Sequence, residues 1–454
     1  MGICKSWWSA YPAAVLLLGG CSTFRSEPIR PEHELRTLEA RTPTSVAVSV
    51  TPVQADRQLG AYHPEDGLDE AELVMAALSF NPDLRLRRYG GAALGEASLF
   101  GLIRFKPELK VDVRSVTVGI AADSQVLYTL LVPSLRAAWR DDDAARRMQE
   151  RAEMVVAELD LVREVRRAHV ALLSAGRLKA AAEEARDRRI QLISDLAADP
   201  KIPPLQRALA NLALRSAETA LRRAGDDHAA ARRGLNRLLG FAPDHELRLT
   251  AVGQPFLIGV SEQPPAEIDR QVLAGRWELK IEEARHRRAE YRLAQSIANE
   301  WPQVRLAPIV TYDRERGTSV AVGGGVKLPW PEHAAVKVEA ARTEVERARA
   351  SYVARLNEVR ADAHAANDRL RRARAAIIDA ADADARTIAD AWREREITLG
   401  DYLAALDRLD AATVERLVAE ADCRSAAIDL DHATGRLTGD VLKSADAVDG
   451  PPGG

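Results

Sequence analysis

Two stretches of this chain leave it little choice of fold. Residues 134–199 contain one glycine, Gly176, and no proline, and residues 332–399 contain neither. Both are rich in Ala, Arg and Glu, which sit at the favourable end of the helix-propensity scale. Each is therefore expected to form a very long helix. At ~1.5 Å per residue, about 65 residues make a rod of roughly 98 Å. A compact domain has no use for such a rod, but a coiled coil or a tunnel wall does.

A second helix follows each rod, and its apolar residues keep 4-3 spacing. The first return helix has Ala210, Leu214, Ala217, Leu221, Ala224, His228, Ala231 and Leu235; the second has Ala405, Leu409, Ala412, Arg416, Ala419, Cys423, Ala426 and Leu430. A period near 3.5 places these residues along a supercoiled seam. Val345, Ala348, Tyr352, Leu356, Val359, Ala363, Ala366 and Leu370 continue the pattern on the second rod.

The two halves align at an offset of about 195 residues. Ala77–Leu84 matches Val272–Leu279, Pro107–Val111 matches Pro302–Leu306, and Leu238-Leu239-Gly240 matches Ala433-Thr434-Gly435. Internal repetition at a fixed period predicts two copies of one structural unit. Each unit contains a helical stretch, two short strands, a long helix and its return.

The strand segments alternate with period two. Leu109, Val111 and Val113 share a face, as do Val126, Tyr128, Leu130 and Val132, with a turn expected at Gly119–Ser124. In the second half Val304, Leu306, Val310 and Tyr312 share a face, interrupted by Pro308, and Val320, Val322, Val326 and Leu328 form the last set. Their turn is expected at Asp313–Thr318. Alternation over about ten residues is the signature of a membrane β-strand, though a weak one per segment.

Composition narrows the reading. With 46% hydrophobic and 29% charged residues the chain is not wholly disordered. A formal charge of -3 lacks the footprint of a nucleic-acid binder. No run of 18 apolar residues is present, which excludes a helical membrane crossing and nothing more.

The N-terminus carries Lys5, then the short apolar run Ala13–Leu18, then Gly19-Gly20-Cys21. A short apolar run ending in small residues reads as a secretory signal. Leu18-Gly19-Gly20-Cys21 resembles a bacterial lipobox, which implies cleavage before Cys21 and a diacylglyceryl thioether, carrying fatty acids such as palmitate, on its sulfur. Ser22 in place of Asp favours outer-membrane sorting. Cys423 then remains as the one unmodified cysteine, so no internal disulfide can form in the mature chain.

No reaction centre is apparent. The nine histidines are dispersed without metal-ligand spacing, so neither a catalytic residue nor a metal site is expected. His228 and Cys423 share a heptad position and read as seam filling; Gly323-Gly324-Gly325 lacks the Lys-Ser/Thr of a phosphate loop; Asp141-Asp142-Asp143 reads as a solvated helix start.

Several soft motifs now add up. Asn81-Pro82-Asp83-Leu84, Pro107-Glu108-Leu109, Leu235-Asn236-Arg237-Leu238-Leu239-Gly240, Trp392–Leu403 and Asp429–Gly435 resemble the TolC-type outer-membrane efflux protein family, in its lipoprotein branch. The resemblance spans Ala71–Leu437. It departs at Arg276-Trp277-Glu278-Leu279, where the family has Arg-Pro-Asp-Leu, at Arg395, where a Gly is common, and at the Pro-rich tip Asp199–Pro204.

The resemblance implies a mainly α fold with a small β part. Long antiparallel coiled-coil helices plus a β-hairpin recur in each repeat, and three chains form an α-barrel continued by a twelve-stranded β-barrel. The expected division is signal peptide 1–20, lipidated extended segment 21–68, first repeat 69–241, linker 242–266, second repeat 267–437 and flexible tail 438–454. The implied function is a passive exit duct of a tripartite efflux or type I secretion system, in the bacterial outer membrane with most of its mass in the periplasm. Its partners would be a periplasmic adaptor and an inner-membrane pump, and it would need no cofactor beyond the lipid on Cys21. A gate at the inner end would draw on Asp195, Asp199, Arg393, Glu394 and Arg395, and adaptor docking on Pro200, Lys201, Ile202, Ile397, Thr398, Leu399 and Gly400.

Two rivals make different demands. A periplasmic adaptor lipoprotein predicts one helical hairpin flanked by compact β domains. A structural coiled-coil lipoprotein has no need of the strand pairs.

Overall fold

The computed structural model describes residues 29–44, 62–92, 106–111, 115–121, 133–198, 203–250, 264–298, 300, 303–313, 317–327, 331–379, 385–394 and 396–437. Cys21, the signal segment and the C-terminal tail lie outside them. Contacts divide the chain into Met1–Arg41 and Thr42–Gly454. The first unit contributes one short helix, α1 (Pro31–Glu39), which begins with Pro at N1 and buries none of its residues.

The second unit begins with the helix pair α2 (Glu70–Phe80) and α3 (Pro82–Ala92). Asp69 and Glu72 close a capping box at the start of α2: Asp69 accepts from the Glu72 amide at 2.7 Å, and Glu72 accepts from the Asp69 amide at 2.9 Å. Two strands follow, β1 (Lys106–Val111) and β2 (Ser115–Ala121), then the long pair α4 (Pro133–Ala198) and α5 (Pro204–Leu239). The element order then recurs: α6 (Pro265–Gly275), α7 (Trp277–Ala298), β3 (Gln303–Asp313), β4 (Gly317–Lys327), α8 (Pro331–Asp379), α9 (Ala385–Arg393) and α10 (Leu399–Ala433).

The first rod forms as expected, with 66 residues in α4. Of the second, Pro331–Asp379 (49 residues) and Ala385–Arg393 are helical, and residues 380–384 between them lie outside the described residues. The helix ends at Arg393, short of residue 399.

The four strands form one antiparallel sheet in the order β1-β2-β3-β4. The second hairpin matches the expected turn. The first does not: β2 is Ser115–Ala121 and takes in Gly119–Ala121 of the expected turn, while residues 112–114 and 126–132 lie outside the described residues. Val116, Val118 and Ile120 alternate with Thr117, Gly119 and Ala121, a period-two pattern closer in sequence to β1. In the observed register Leu109 opposes Val118, and Val111 opposes Val116. Pro308 sits inside β3 opposite Val322, one residue beyond the last β2 partner, Ile309. The β2–β3 ladder stops at that point, where a missing N–H is tolerated.

The long helices lie side by side in the order α5-α4-α10-α8. Apolar burial is divided between them. One cluster joins Leu73, Met75 and Leu78 of α2 to Val162 and Val165 of α4 and Leu235 and Leu239 of α5. A second joins Ile268 and Val272 of α6 to Val359, Ala363 and Leu370 of α8 and Ala426 and Leu430 of α10. Leu235, Val359, Ala363, Leu370, Ala426 and Leu430 among them are heptad positions read from the sequence, whereas Arg416, another such position, is exposed.

Two polar side chains hold corresponding corners. Asn81, between α2 and α3, donates to the Leu238 carbonyl at 3.0 Å. Arg276, at the offset of 195, donates to the His432 carbonyl at 3.0 Å and pairs with Glu278 at 2.7 Å. The departure Arg276-Trp277-Glu278 thus replaces one carbonyl-binding corner with another. Gly240 and Gly435, also 195 apart, follow the return helices with φ of 71° and 74°. Both use the left-handed conformation common after a helix C-terminus.

Gly435 has a second constraint, because a Cβ there would overlap the backbone of Gly275. Gly435→Ala is therefore expected to cost upward of about 2 kcal/mol, read as a lower denaturation midpoint. Glu70 supplies a pH-dependent tie between α2 and the long helices. Arg166 of α4 approaches it at 3.1 Å and Arg424 of α10 at 2.9 Å, while His169 Nδ1 lies 3.9 Å away, beyond hydrogen-bond distance. Burial raises the Glu70 pKa, but the contacts of His169, Arg166 and Arg424 outweigh it and hold the carboxyl at about 2, against an ordinary 4.5. A depressed carboxyl contributes stability above its unfolded pKa and loses it as pH falls through the folded one. Thermal melts from pH 5 down toward 2 should show an acid limb that is flatter in Glu70→Gln.

Candidate functional site

The end of the chain farthest in sequence from the sheet is where α4 turns into α5 and α9 into α10. Leu192 and Leu196 of α4, Ala210 of α5 and Leu399, Tyr402 and Leu406 of α10 form the third apolar cluster there. The Trp392 ring stacks on Tyr402 with centroids 5.0 Å apart and planes 12° apart. Burial pushes the Tyr402 hydroxyl up, with Arg393 and Arg188 opposing and Asp195 reinforcing the shift.

Three of the five sequence-expected gate residues, Asp195, Arg393 and Glu394, are described, and they lie near this cluster. Asp195 is exposed and accepts from Gln191 within α4 at 2.9 Å. Arg393 is exposed and pairs with Asp390 of its own helix at 2.9 Å, and Glu394 is exposed beside it. Asp199 and Arg395 lie outside the described residues. The three described members are thus gathered at one end, each bonded within its own helix region.

The docking residues divide in two. Leu399 is buried and Ile397 half-buried against the apolar cluster. Thr398 is exposed and caps α10, accepting from the Asp401 amide at 3.2 Å and donating to the Asp401 carboxylate at 2.6 Å. Gly400 is exposed. Pro200, Lys201 and Ile202 lie outside the described residues.

The strongest polar contact of this end was not anticipated. Arg189, 5% exposed, reaches Asp407 at 2.6 Å and Asp410 at 2.7 Å, and Arg188 reaches the other oxygen of Asp410 at 2.6 Å. This bridge ties the first hairpin to the second just inside the turn. Its signal in sequence is the pair Arg188-Arg189 on one rod and Asp407 and Asp410, three apart, on the antiparallel return helix. Only the inter-helix register identifies them as partners.

A groove of about 440 Å³ opens beside this bridge, between α4, α5 and α10. Ala181, Ala185, Ser216, Ala220, Asp410 and Thr413 are among its lining residues. Small and charged side chains of this kind offer no nucleophile with an adjacent base. Among the described residues no group of three His, Cys, Asp or Glu converges as metal ligands. Burial, then Lys179 and Arg232, push His228 toward its neutral form, while burial raises the Cys423 thiol, and the two residues lie in different helix pairs. Gly323–Gly325 lie within β4 opposite Arg305–Ala307. Asp143 is buried and pairs with Arg146 and Arg147 of its own helix.

Among the described residues no helix is long and apolar enough to cross a membrane, which leaves the sheet as a separate question. No protein-family model matches the sequence, and no curated protein matches it. Solved structures do match. The Neisseria gonorrhoeae MtrE outer-membrane channel, in its open state, aligns with a TM-score of 0.64 at 16% identity, over 80% of this chain and 88% of that one. The Campylobacter jejuni CmeC outer-membrane channel gives 0.65 at 15% identity, over 84% and 89%. The Vibrio cholerae outer-membrane protein VceC gives 0.60 at 17% identity, over 81% and 96%. Alignment over most of both chains, with paired long helices and a small antiparallel sheet in one order, leads to one conclusion: this chain has the fold of the TolC-family outer-membrane channels.

Proposed function

We propose that this protein is a passive channel of the bacterial outer membrane, built from three copies and anchored by a lipid on Cys21. The observation that carries the reading is the four-stranded antiparallel sheet joined to two long helical hairpins. In hydrocarbon an unpaired strand edge leaves N–H and C=O groups unsatisfied, so a spanning sheet must close on itself. Four strands cannot do so; three copies supply twelve, an even number suited to a barrel. Similar folds are outer-membrane channels, which favours the same placement here. The recurring element order and the paired glycines at 240 and 435 favour a repeat of about 195 residues.

On this reading the helices continue the barrel as a tunnel into the periplasm. The chain does no chemistry of its own. An inner-membrane pump supplies the energy, in an efflux or type I secretion system, and an adaptor joins it to the tips around residues 200–204 and 397–402. Thr398, Gly400 and Asp401 are the exposed residues of that range in the second tip. The inner gate lies at the same end, with Asp195, Asp199, Arg393, Glu394 and Arg395 at its rim. Opening is a population shift between two packings, driven by whatever binds the open one better. Two hairpins and one sheet among the described residues favour a channel over an adaptor with a single hairpin.

Planar-bilayer recording of the purified protein tests this directly. Discrete channels of low conductance are expected, and Asp199→Ala with Arg395→Ala is expected to raise the conductance. No channel at all would overturn the reading; channels indifferent to the two substitutions would remove those residues from the gate.

A further inference from the structure

Asp429 of α10 stands among arginines of two other helices. Arg163 and Arg167 of α4 approach it to 3.7 and 3.3 Å, and Arg369 of α8 to 3.7 Å. Because α10 packs between α4 and α8, the three guanidiniums gather over it from both flanks. One other ion pair lies beside them. Arg163 Nη1 is 3.5 Å from Nδ1 of His432, whose Nε2 faces Asp160 at 3.0 Å. Asp160 is thus engaged by His432, and Asp429 is the carboxylate that the three arginines share.

Other carboxylates of this fold hold their arginines closely. Glu70 has Arg166 at 3.1 Å and Arg424 at 2.9 Å, Asp410 has Arg188 at 2.6 Å and Arg189 at 2.7 Å, and Asp269 has Arg360 at 2.8 Å. Around Asp429 none of the three arginines comes closer than 3.3 Å, and the buried Nε of Arg163 has no hydrogen-bond partner. A carboxylate brings one negative charge, whereas each guanidinium brings a positive charge and a fork of N–H donors. Three charges against one leave a surplus of two positive charges. The arginine side chains are 37%, 48% and 56% exposed and that of Asp429 is 14%, so the surplus faces water and the acid lies beneath it.

We propose that Arg163, Arg167 and Arg369 form a binding site for a doubly charged oxyanion: phosphate, or a phosphate group carried on a larger solute. Arginine suits such a ligand because its planar fork of donors matches the oxygens of phosphate and its charge does not titrate. Two negative charges balance the surplus that Asp429 leaves. Asp429 has a role of its own. It keeps the three like charges together when the site is empty, and it repels the ligand when the site is filled. A carboxylate at the floor of the site therefore weakens binding and makes it readily reversible. The site lies within one chain and does not rest on the channel reading.

The test titrates inorganic phosphate into the full-length protein in detergent, at a mildly alkaline pH where phosphate is a dianion, against chloride at equal ionic strength. Phosphate should bind, and R167A and R369A should each weaken it on the order of tenfold. D429N should bind phosphate on the order of tenfold more tightly, because a fixed repulsive charge has gone. If Asp429 only held the helices together, D429N would be less stable with its phosphate affinity unchanged, and that result overturns the proposal. Should D429N not fold, R167A and R369A decide, since both side chains are about half exposed and neither is needed for the apolar core. Equal affinity in the two arginine variants and the wild type overturns the site, and so does a wild type that binds phosphate no better than chloride. Glycerol phosphate is titrated alongside to separate the sources. Its binding supports a phosphate group on a larger solute, and its exclusion while inorganic phosphate binds supports the free ion.

Discussion

A helix of 66 residues cannot bury its own apolar stripe, and the rest of this structure follows from covering α4. One partner is not enough. The return helix α5 has 36 residues and reaches little more than half of it. The remaining length is covered by α2 and α3 on one side and by α7 and α10 on the other. Every one of these lies against α4, so loss of that helix would leave each of them with an open apolar face.

The cover is of two kinds. The apolar clusters are close-packed, with leucines and alanines almost fully buried, and the first of them takes in Trp277 and Leu437 of the second half. Between α4 and α10, short of the tip cluster, the described contacts are mostly ion pairs partly open to water, as at Arg177 and Glu420. The double bridge at Arg189 is the firmest of them, since its guanidinium is withdrawn from water and held by two carboxylates.

Much of this was legible in the sequence because long helices announce themselves. A single Gly and no internal Pro marked α4, and 4-3 spacing marked the buried faces of α5, α8 and α10. Short strands are harder to place. Val116, Val118 and Ile120 alternate as clearly as Val126–Val132 does, and pairing with β1 selected the nearer set. Cross-helix partners were illegible for another reason: Arg189 and Asp410 become neighbours only once the antiparallel register is known, and no local pattern fixes that register.

The four strands leave two outer edges, β1 and β4, that find no partner among the described residues, so one copy on its own cannot close the sheet. The protein mass of the detergent-solubilised particle by light scattering tests this most directly. Closure by three copies gives a mass near three times that of one chain. A particle with the mass of a single chain would contradict it.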